Sequence, residues 1–309
     1  MIAAFTLNVS IDRRYLVENG SLNQVNRVKE CTATAGGKGL NVARVIHVLG
    51  EEVVAGGIAG GHLGEFVISE LDREGIPHHF TRAAGESRCC INIKDTKTGA
   101  QTEYLEPGLT VTSEESEAFM KDFEGLAGCS DVITLSGSLP KGLPADFYAR
   151  LIRRAKTMGR PVLLDASGAS LTAGIAAAPA YIKPNEDEIA ALTNTGIEDE
   201  AALSKAMMDL HRAGIDRVVL SMGSRGAMIA CGEGLFKGRP PKIQAVNTVG
   251  CGDSMTAAFA VALQRKMNAE ESLRFAIGVS AASALNPGTG GLEMKDFEAV
   301  LPNVTVEKL

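Results

Sequence analysis

The sequence lacks the features that mark several common classes of protein. No apolar stretch approaches the roughly 20 residues that a membrane-spanning helix needs, so we expect no membrane partner. No run of five like charges occurs and the formal net charge is -6, so we expect no nucleic-acid partner. Polar residues interrupt the first apolar run, Ile2 to Leu7, too soon for a signal peptide.

The six cysteines form neither a metal-binding pattern nor a disulfide framework. They are scattered along the chain, without a CxxC pair or a histidine at ligand spacing. This usage argues against structural zinc and is typical of a reducing compartment, so we predict a cytoplasmic protein.

The two commonest nucleotide-binding fingerprints are also missing. The segment TAGGKGLN fails the P-loop pattern, because Gly39 follows Lys38 where Ser or Thr is needed and Thr32 replaces the first glycine. No stretch completes the GxGxxG pattern of dinucleotide-binding folds. Any nucleotide site must therefore have another design. The adjacent glycines of TAGGKGLN still let the backbone approach a ligand closely, and Lys38 offers a positive charge there.

What the sequence does contain is a regular alternation of strands and helices, clearest in its second half. The runs DVITLSG, PVLLDAS and RVVLSMG are predicted strands, and residues 144–158 and 187–193 are predicted helices. Such alternation predicts a parallel sheet covered by helices on both faces, with ligand sites at the carboxyl ends of the strands. Residues 38–49 predict a further helix, which follows the glycines of AGGKG directly.

Two regions interrupt this alternation, residues 12–35 and 87–106. They contain the short strand-like segments VKECTAT, CCINIKD and QTEYLE. These are too few to bury a core, so we predict that they pair as a small β lid over a main domain formed by the rest of the chain, residues 1–11, 36–86 and 107–309. A lid sheet would have open edges and an apolar face, which favours a homodimer formed through the lid.

The segment AVNTVGCGDSMTAAF predicts a short strand, a glycine turn and an apolar helix that begins near Asp253. Unpaired amides and the helix dipole at such a turn can hold an anion, such as a phosphoryl group during transfer. Asp253 could then take a proton from the attacking hydroxyl. An ordinary N-cap after a tight turn explains the segment equally well.

In the segment KPNEDEI, Asn185 and Glu188 could hold the hydration shell of Mg²⁺ on the first turn of a helix. Taken alone, a capping box between the two residues is the better explanation. The strand ends SGSLPKG and SMGSRGA are, by themselves, compatible with plain turns capped by serine.

Taken together and in this order, these segments resemble the ribokinase-type (phosphofructokinase-B) family of carbohydrate kinases over essentially the whole chain. The segments TLNVSID, AGGKGLNVARV and TVGCGDSMTAAF carry the family's opening strand and aspartate, its glycine pair and its late signature. The resemblance implies a ribokinase-like three-layer α/β/α sandwich with a mostly parallel central sheet and a small β-sheet lid, using ATP and Mg²⁺.

Within the family, the runs TLNVSID, VNRV, GESRCCI and SGSLPKGL are most similar to tagatose-6-phosphate kinases, and next to 1-phosphofructokinases. This implies phosphorylation of tagatose 6-phosphate to the 1,6-bisphosphate, a reaction of lactose and galactose catabolism. Fructose 1-phosphate and fructose 6-phosphate remain alternative substrates. A kinase for an unphosphorylated sugar, and a catalytically silent sugar- or nucleotide-binding module, also remain open.

The resemblance assigns roles to the residues that match the family's motifs. Asp253 would be the catalytic base, and the anion hole would be formed by Gly250, Cys251 and Gly252. The substrate would be bound by Asp12, Arg27, Gly37, Lys38, Gly39, Asn41, Arg88 and Ser138, with Arg27, Lys38 and Arg88 converging on its phosphate. The nucleotide would be bound by Lys183, Asn185, Ser221, Gly223, Gly226, Thr248, Gly250, Gly252 and Asn286. Asn185 and Glu188 would hold the metal through water.

Cys251 departs from the family pattern, which usually has Ala or Ser between the two late glycines. At a helix N-terminus the pKa of its thiol should be lowered, so we expect a reactive cysteine whose alkylation inactivates the enzyme and against which ATP protects.

Overall fold

The computed structural model describes residues 1–194, 196 and 199–309. The strands are β1 (Ile2–Thr6), β2 (Ser10–Val17), β3 (Glu30–Gly36), β4 (Val53–Gly60), β5 (His78–Ala83), β6 (Arg88–Asp95), β7 (Gln101–Leu105), β8 (Val132–Ser136), β9 (Val162–Asp165), β10 (Tyr181–Ile182), β11 (Arg217–Ser221), β12 (Ala227–Cys231), β13 (Gly234–Arg239) and β14 (Thr305–Lys308). The helices are α1 (Lys38–Val48), α2 (Gly61–Glu74), α3 (Ser113–Cys129), α4 (Phe147–Thr157), α5 (Gly168–Ile175), α6 (Glu186–Thr193), α7 (Glu200–Arg212), α8 (Cys251–Gln264), α9 (Ala269–Ser283) and α10 (Met294–Val300).

The larger sheet has the strand order β14-β13-β12-β11-β10-β9-β8-β1-β4-β5. The seven strands from β11 to β5 pair in parallel, and β12, β13 and β14 extend the sheet with antiparallel pairs. The prediction of a mostly parallel sheet is confirmed. Because parallel strands all point the same way, the segments that follow β1, β8, β9 and β10 leave the sheet at one edge.

Helices cover both faces of this sheet. One face packs against α1, α2, α8, α9 and α10, with Leu40, Ile46 and Phe259 fully buried among them. The other face packs against α3 to α7, where Phe119, Phe123 and Phe147 form an aromatic cluster. Two apolar layers separated by a buried sheet make the predicted three-layer sandwich.

The smaller sheet has the order β3-β2-β6-β7 and contains the two regions that interrupt the alternation. The strand β2 pairs antiparallel with β3 and parallel with β6, and β6 forms a hairpin with β7. The two regions therefore pair with each other, as predicted. Since side chains alternate along a strand, Asp12 and its cross-strand neighbours Thr34 and Cys90 share one face, while Ile11 and Tyr15 lie on the other.

The predicted strand before the glycine turn is wrong. Residues 245–249 have no regular structure, and the amides of Val246 and Asn247 both donate to the carbonyl of Ala284, at 2.8 and 3.2 Å. The edge of the large sheet is completed by β12, β13 and β14. Residues 245–249 therefore do not pair with the sheet and bond instead to Ala284, the residue after α9. Within the described residues, no helix is both long and apolar enough to span a membrane.

Candidate active site

A cleft of about 670 Å³ opens between the lid sheet and the N-terminal ends of α1 and α8. The lid contributes one wall, and residues 247–253 and 287–289 contribute another. Most of the residues predicted for substrate binding and catalysis meet there. Those that line the cleft are Asp12, Gly37, Lys38, Asn41, Arg88, Gly250, Gly252 and Asp253.

Asp253 lies in the first turn of α8, where its side chain is almost fully buried. One carboxylate oxygen, Oδ2, accepts a hydrogen bond of 2.8 Å from the amide nitrogen of Asn41. Burial and the negative charge of Asp165 raise the pKa of Asp253 to about 6, against the opposing effects of Lys38, Asn41 and Lys183. A carboxylate with this pKa can accept a proton near neutral pH.

Asp165 ends β9 and is the buried centre of the charges around Asp253. Its two oxygens lie 3.2 Å from Nζ of Lys38 and 3.3 Å from Nζ of Lys183, and the hydroxyl of Thr256 donates to it at 3.0 Å. Burial would raise the pKa of Asp165, but the two ammonium groups outweigh it and hold the pKa below its ordinary value. The same ion pair raises the pKa of Lys38, so this lysine stays charged.

The glycine turn at the start of α8 presents its backbone to the cleft. Gly250 has φ of 86°, a left-handed conformation that favours glycine. The amides of Gly250, Gly252 and Asp253 donate to no acceptor in the described part of the chain, whereas the amide of Cys251 makes a long bond of 3.3 Å to the carbonyl of Thr248. Beneath the turn, Nζ of Lys183 comes within 3.5 Å of the position that a Cβ on Gly252 would occupy. The turn can therefore bind an anion through two glycine amides.

The predicted lowering of the pKa of Cys251 is wrong, while its alkylation stays untested. Burial raises the pKa of its thiol to about 11, and the nearby Asp253 carboxylate acts in the same direction. The side chain points back into the protein, where its sulfur contacts the carbonyl of Asn247 at 3.9 Å. The local helix dipole suggested a lowered pKa, but burial dominates.

Asp12 lines the same cleft and lies on β2 of the small sheet. The hydroxyl of Ser10 donates to Asp12 Oδ1 at 2.7 Å, and burial raises the pKa of the carboxyl group against the effects of Ser10, Arg88 and Arg44. Gly36 makes room for it, since a Cβ on Gly36 would lie 2.1 Å from Asp12 Cγ.

The glycines just before α1 and in its first turn are needed for close packing against β1. A Cβ on Gly39 would lie 2.3 Å from the carbonyl oxygen of Phe5, and one on Gly37 would lie 2.7 Å from the methyl group of Thr6. Ser138 lies at the rim, where it accepts a hydrogen bond of 3.2 Å from Asn8.

The three cations predicted to converge on the substrate phosphate do not all line the cleft. Arg88 lines it near Asp12 and donates to the carbonyls of Asn8 and Glu106, at 3.3 and 3.4 Å. Lys38 lines it too, and is paired with Asp165. Arg27 lies on the exposed segment between β2 and β3 and does not line the cleft. Its role as a phosphate ligand stays a prediction.

Asn185 and Glu188 form the capping box that their spacing indicated. Asn185 Oδ1 accepts from the Glu188 amide at 2.8 Å, and Glu188 Oε2 accepts from the Asn185 amide at 2.9 Å. The second oxygen of Glu188 accepts no hydrogen bond from the described residues, and its charge reaches Lys38. In the described ranges, no group of three His, Cys, Asp or Glu residues could hold a metal. The site therefore fits a Mg²⁺ ion that keeps most of its waters, with one carboxylate oxygen at hand.

The remaining residues predicted for the nucleotide lie outside the lining of the cleft. Ser221 forms a β-bridge with Asn185, which joins the ends of β11 and β10. Gly223 and Gly226 shape the turn that follows, with φ of 56° and 96°. Thr248 precedes the glycine turn, and Asn286 accepts from the Gly288 amide at 2.8 Å in the loop that packs on that turn.

Sequence reasoning missed residues that the fold brings to the site. Asp165 ends PVLLDAS, a predicted strand, and an acidic residue at the carboxyl end of a parallel strand was a usable signal. Arg14 follows Asp12 by two residues on the cleft face of β2 and donates to the carbonyl of Pro287 at 3.1 Å. Only the alternation of β2 could have indicated it.

Comparison with known proteins gives a consistent result. The sequence profile of the pfkB family carbohydrate kinase matches residues 6–295. Phosphofructokinase-2 from Escherichia coli, solved in complex with substrates and products, is similar at 29% identity and a TM-score of 0.93, covering 98% of each chain. That enzyme has also been solved with potassium and as a tetrameric inhibited form. Ribokinase from Thermotoga maritima shares the fold at 22% identity and a TM-score of 0.78, covering 97% of this chain and 98% of its own.

The family profile spans nearly the whole chain, and the site combines a buried aspartate with a glycine turn whose amides are free to donate. This protein therefore belongs to the pfkB family of carbohydrate kinases.

Proposed function

We propose that this kinase transfers the γ-phosphoryl group of ATP to a hydroxyl of a ketohexose phosphate, giving a bisphosphate and ADP. One observation carries the proposal. A single cleft is lined both by Asp253 and the glycine turn and by Asp12 and Arg88. The first pair suits phosphoryl transfer, and the second suits a sugar that bears both hydroxyls and an anionic group.

The proton of the attacking hydroxyl passes to Asp253. Its pKa of about 6 leaves the carboxylate mostly ionised at neutral pH, and the hydrogen bond from Asn41 fixes one oxygen so that the other can face the substrate. In phosphoryl transfer most of the rate comes from placement and charge stabilisation, so a base of this modest strength is sufficient.

Charge that builds on the migrating phosphoryl group is balanced by the turn and the lysines. The amides of Gly250 and Gly252 are free to donate, and the ammonium group of Lys38 is partly exposed beside them in the cleft. Asp165 pairs with the ammonium groups of Lys38 and Lys183, which fixes their positions before the substrate binds. Closure of the lid would exclude water from this part of the cleft.

Mg²⁺ would be held by Glu188, with Asn185 beside it, mainly through water and the triphosphate, and when bound it would neutralise phosphate charge. Lys183 and the residues around the glycine turn would hold the nucleotide: Ser221, Gly223, Gly226, Thr248 and Asn286.

We propose tagatose 6-phosphate as the preferred substrate, on the strength of the sequence runs shared with that group of kinases. A phosphofructokinase is the rival, and its support is the similarity to the Escherichia coli enzyme. Arg88 and Asp12 are compatible with both sugars, because the two ketohexose phosphates carry the same functional groups.

The deciding experiment measures ADP release with tagatose 6-phosphate, fructose 6-phosphate and fructose 1-phosphate, each beside its unphosphorylated sugar. We expect phosphorylated sugars to be preferred, with the highest kcat/KM for tagatose 6-phosphate. Equal use of a free sugar would contradict the sugar-phosphate assignment. A higher kcat/KM for either fructose phosphate would transfer the assignment to that substrate.

We also propose a homodimer that forms through the lid. Nine large hydrophobic side chains are exposed in the described part of the chain, and five of them belong to the lid regions: Leu22, Val25, Val28, Tyr104 and Leu105. Exposed apolar side chains on β7 and on the segment between β2 and β3 favour burial against a second copy.

A further inference from the structure

A chain of hydrogen bonds leads from Asp253 to the far end of α2. Asn41 donates to Asp253 Oδ2 at 2.8 Å, and its own oxygen, Oδ1, accepts from Nη1 of Arg44 at 3.1 Å. Nε of Arg44 donates in turn to Oε2 of Glu74 at 2.9 Å. The side chains of Arg44 and Glu74 are only 16% and 22% exposed, so water competes little for these bonds.

The chemistry of these groups allows only one orientation of the Asn41 amide. A carboxamide has one acceptor end and one donor end, whereas a guanidinium group only donates and an ionised carboxylate only accepts. If the amide were turned over, its oxygen would face the Asp253 carboxylate and its NH₂ group would face Arg44. Both contacts would then be repulsive, so Arg44 selects the orientation in which Asn41 donates to Asp253.

Arg44 is itself held at three points. Besides the bonds to Asn41 and Glu74, its Nη2 donates to the carbonyl of Ala35 at 3.1 Å. Ala35 lies at the end of β3, where the lid strand leads through the glycine pair into α1. The guanidinium fork thus joins the lid strand, α1 and α2, and has little freedom to turn away.

We propose that Arg44 is a positioning residue for catalysis. Anchored by Glu74 and Ala35, it fixes the Asn41 amide so that Asp253 is correctly aimed at the reacting hydroxyl. The proposal rests on the proposed function, because it concerns the proton transfer to Asp253. The other charged groups that face Asp253 are Lys38, Lys183 and Asp165, and none of them bonds to Arg44.

A double-mutant cycle tests the proposal, using Arg44→Gln and Asn41→Ala singly and together. The Arg44→Gln change should lower kcat roughly tenfold, the size expected for one lost hydrogen bond between polar partners, with little change in KM for ATP. If Arg44 acts through Asn41, it should have almost no further effect on kcat in the Asn41→Ala background. If the losses of kcat in the two single variants multiply in the double variant, Arg44 acts independently of Asn41 and the proposal is overturned.

The pH profile supplies a readout that a merely structural role would not move. Without the bond from Asn41, the carboxylate of Asp253 is less stabilised, so the acid limb of kcat/KM should shift to higher pH in Arg44→Gln. Because Arg44 also lowers the pKa of Asp12, the change is measured again in the Asn41→Ala background, where a shift that acts through Asn41 is absent. Arg44→Lys keeps the positive charge but loses the planar guanidinium group, so its kcat should lie between those of Arg44→Gln and the wild type. An unchanged acid limb would count against the proposal.

Arg265, directly after α8, provides a control. Its Nε donates to Glu51 at 2.6 Å and its Nη2 to the carbonyl of Leu49 at 3.0 Å, so like Arg44 it bonds one carboxylate and one carbonyl, but it does not contact Asn41. Arg265→Gln should therefore keep kcat within about twofold of wild type, because none of the bonds that it loses leads to Asp253. An equal loss of kcat in both variants would overturn the proposal.

Two further measurements keep the test decisive. If Arg44→Gln fails to fold, Glu74→Gln replaces it in the cycle, and its smaller loss of kcat should likewise vanish in the Asn41→Ala background. If the wild type phosphorylates no sugar phosphate, the proposed function fails by itself. The positioning role is then decided by ¹³C NMR titration of the Asp253 carboxyl group, whose pKa should rise in Arg44→Gln and would stay unchanged if the role is absent.

Discussion

At the scale of single residues, the site is a set of charges whose burial decides what each can do. Asp165 and Asp253 are both buried carboxyl groups on neighbouring elements, yet their pKa values move in opposite directions. Asp165 bonds to two ammonium groups, whereas Asp253 receives only a neutral amide and feels the charge of Asp165. One carboxylate therefore remains a fixed negative charge, and the other becomes a proton acceptor.

The first prediction concerns Asp253→Asn. The amide cannot accept the proton in the same way, so kcat should fall by roughly 10² to 10⁴, the range measured for general bases. Binding of ATP, measured by calorimetry, should change little, because the glycine turn and Lys183 remain. A variant with near-normal kcat would remove Asp253 from this role.

The second prediction concerns pH. Because the pKa of Asp253 is raised to about 6 and the ionised form is the active one, kcat/KM should be constant above this pH and decline as the pH falls through it. In Asp165→Asn, the acid limb should move to lower pH, since the charge that raises the pKa of Asp253 is gone. A shift in the opposite direction would contradict the assigned cause.

The third prediction concerns Cys251. Its thiol has a pKa of about 11, so iodoacetamide near neutral pH should label the exposed Cys129 first and leave Cys251 largely unmodified. Mass spectrometry of the labelled peptides, taken together with residual activity, measures this directly. Labelling of Cys251 ahead of Cys129 would show that the helix dipole outweighs burial after all.

At the scale of elements, the start of α8 is the critical feature, because it must present backbone amides and a carboxylate within one turn. Position 250 has a φ of 86° and lies close to the loop at Gly290, and glycine is the residue type that meets both conditions. A Cβ there would lie 2.6 Å from the Gly290 amide nitrogen, so any side chain would push the turn and the loop apart.

The fourth prediction follows from this contact. Gly250→Ala should reduce kcat strongly, because the displaced turn no longer aims its amides at the phosphoryl group. Gly50→Ala is the matched control, with φ of 80° and open space around the new methyl group. It should lose about 1–2 kcal/mol of stability from backbone strain and keep its kcat. Equal losses of kcat in the two variants would argue against a role for the turn.

At the scale of the whole molecule, the two sheets contribute different residues to the cleft. The large sheet supplies Asp165 and a rigid platform for α1 and α8, and the small sheet carries Asp12 and Arg88 over it. The lid regions, residues 12–35 and 87–106, also carry most of the large exposed apolar side chains among the described residues, which supports the proposed dimer.

The fifth prediction is that the protein is dimeric at micromolar concentration, by size-exclusion chromatography with light scattering. Val25→Asp should weaken the dimer, since Val25 is 87% exposed in the lid region, whereas Met294→Asp alters an exposed side chain on α10 and should not. A monomeric wild type, or equal effects of the two changes, would contradict dimerisation through the lid.

Comparison of the sequence predictions with the structure separates local from long-range causes. The helix that starts at Lys38, the capping box of Asn185 and Glu188 and the strand ending at Asp165 were predicted from residues next to each other in the chain. The strand expected at residues 245–249 failed, because its neighbours in space are set by α9 and by a sheet edge that other strands complete.

The sequence by itself determined the alternation of strands and helices, the glycine turn before α8 and membership in a kinase family, because these depend on residue order and on short-range sterics. Only the tertiary structure decided which charges meet. Lys38 and Asp165 are 127 positions apart, and Arg44 reaches Asp253 only through Asn41 and the packing of α1 on α8. The physical reason is that a pKa depends on burial and on charges brought from distant segments, as the raised values of Cys251 and Asp253 demonstrate.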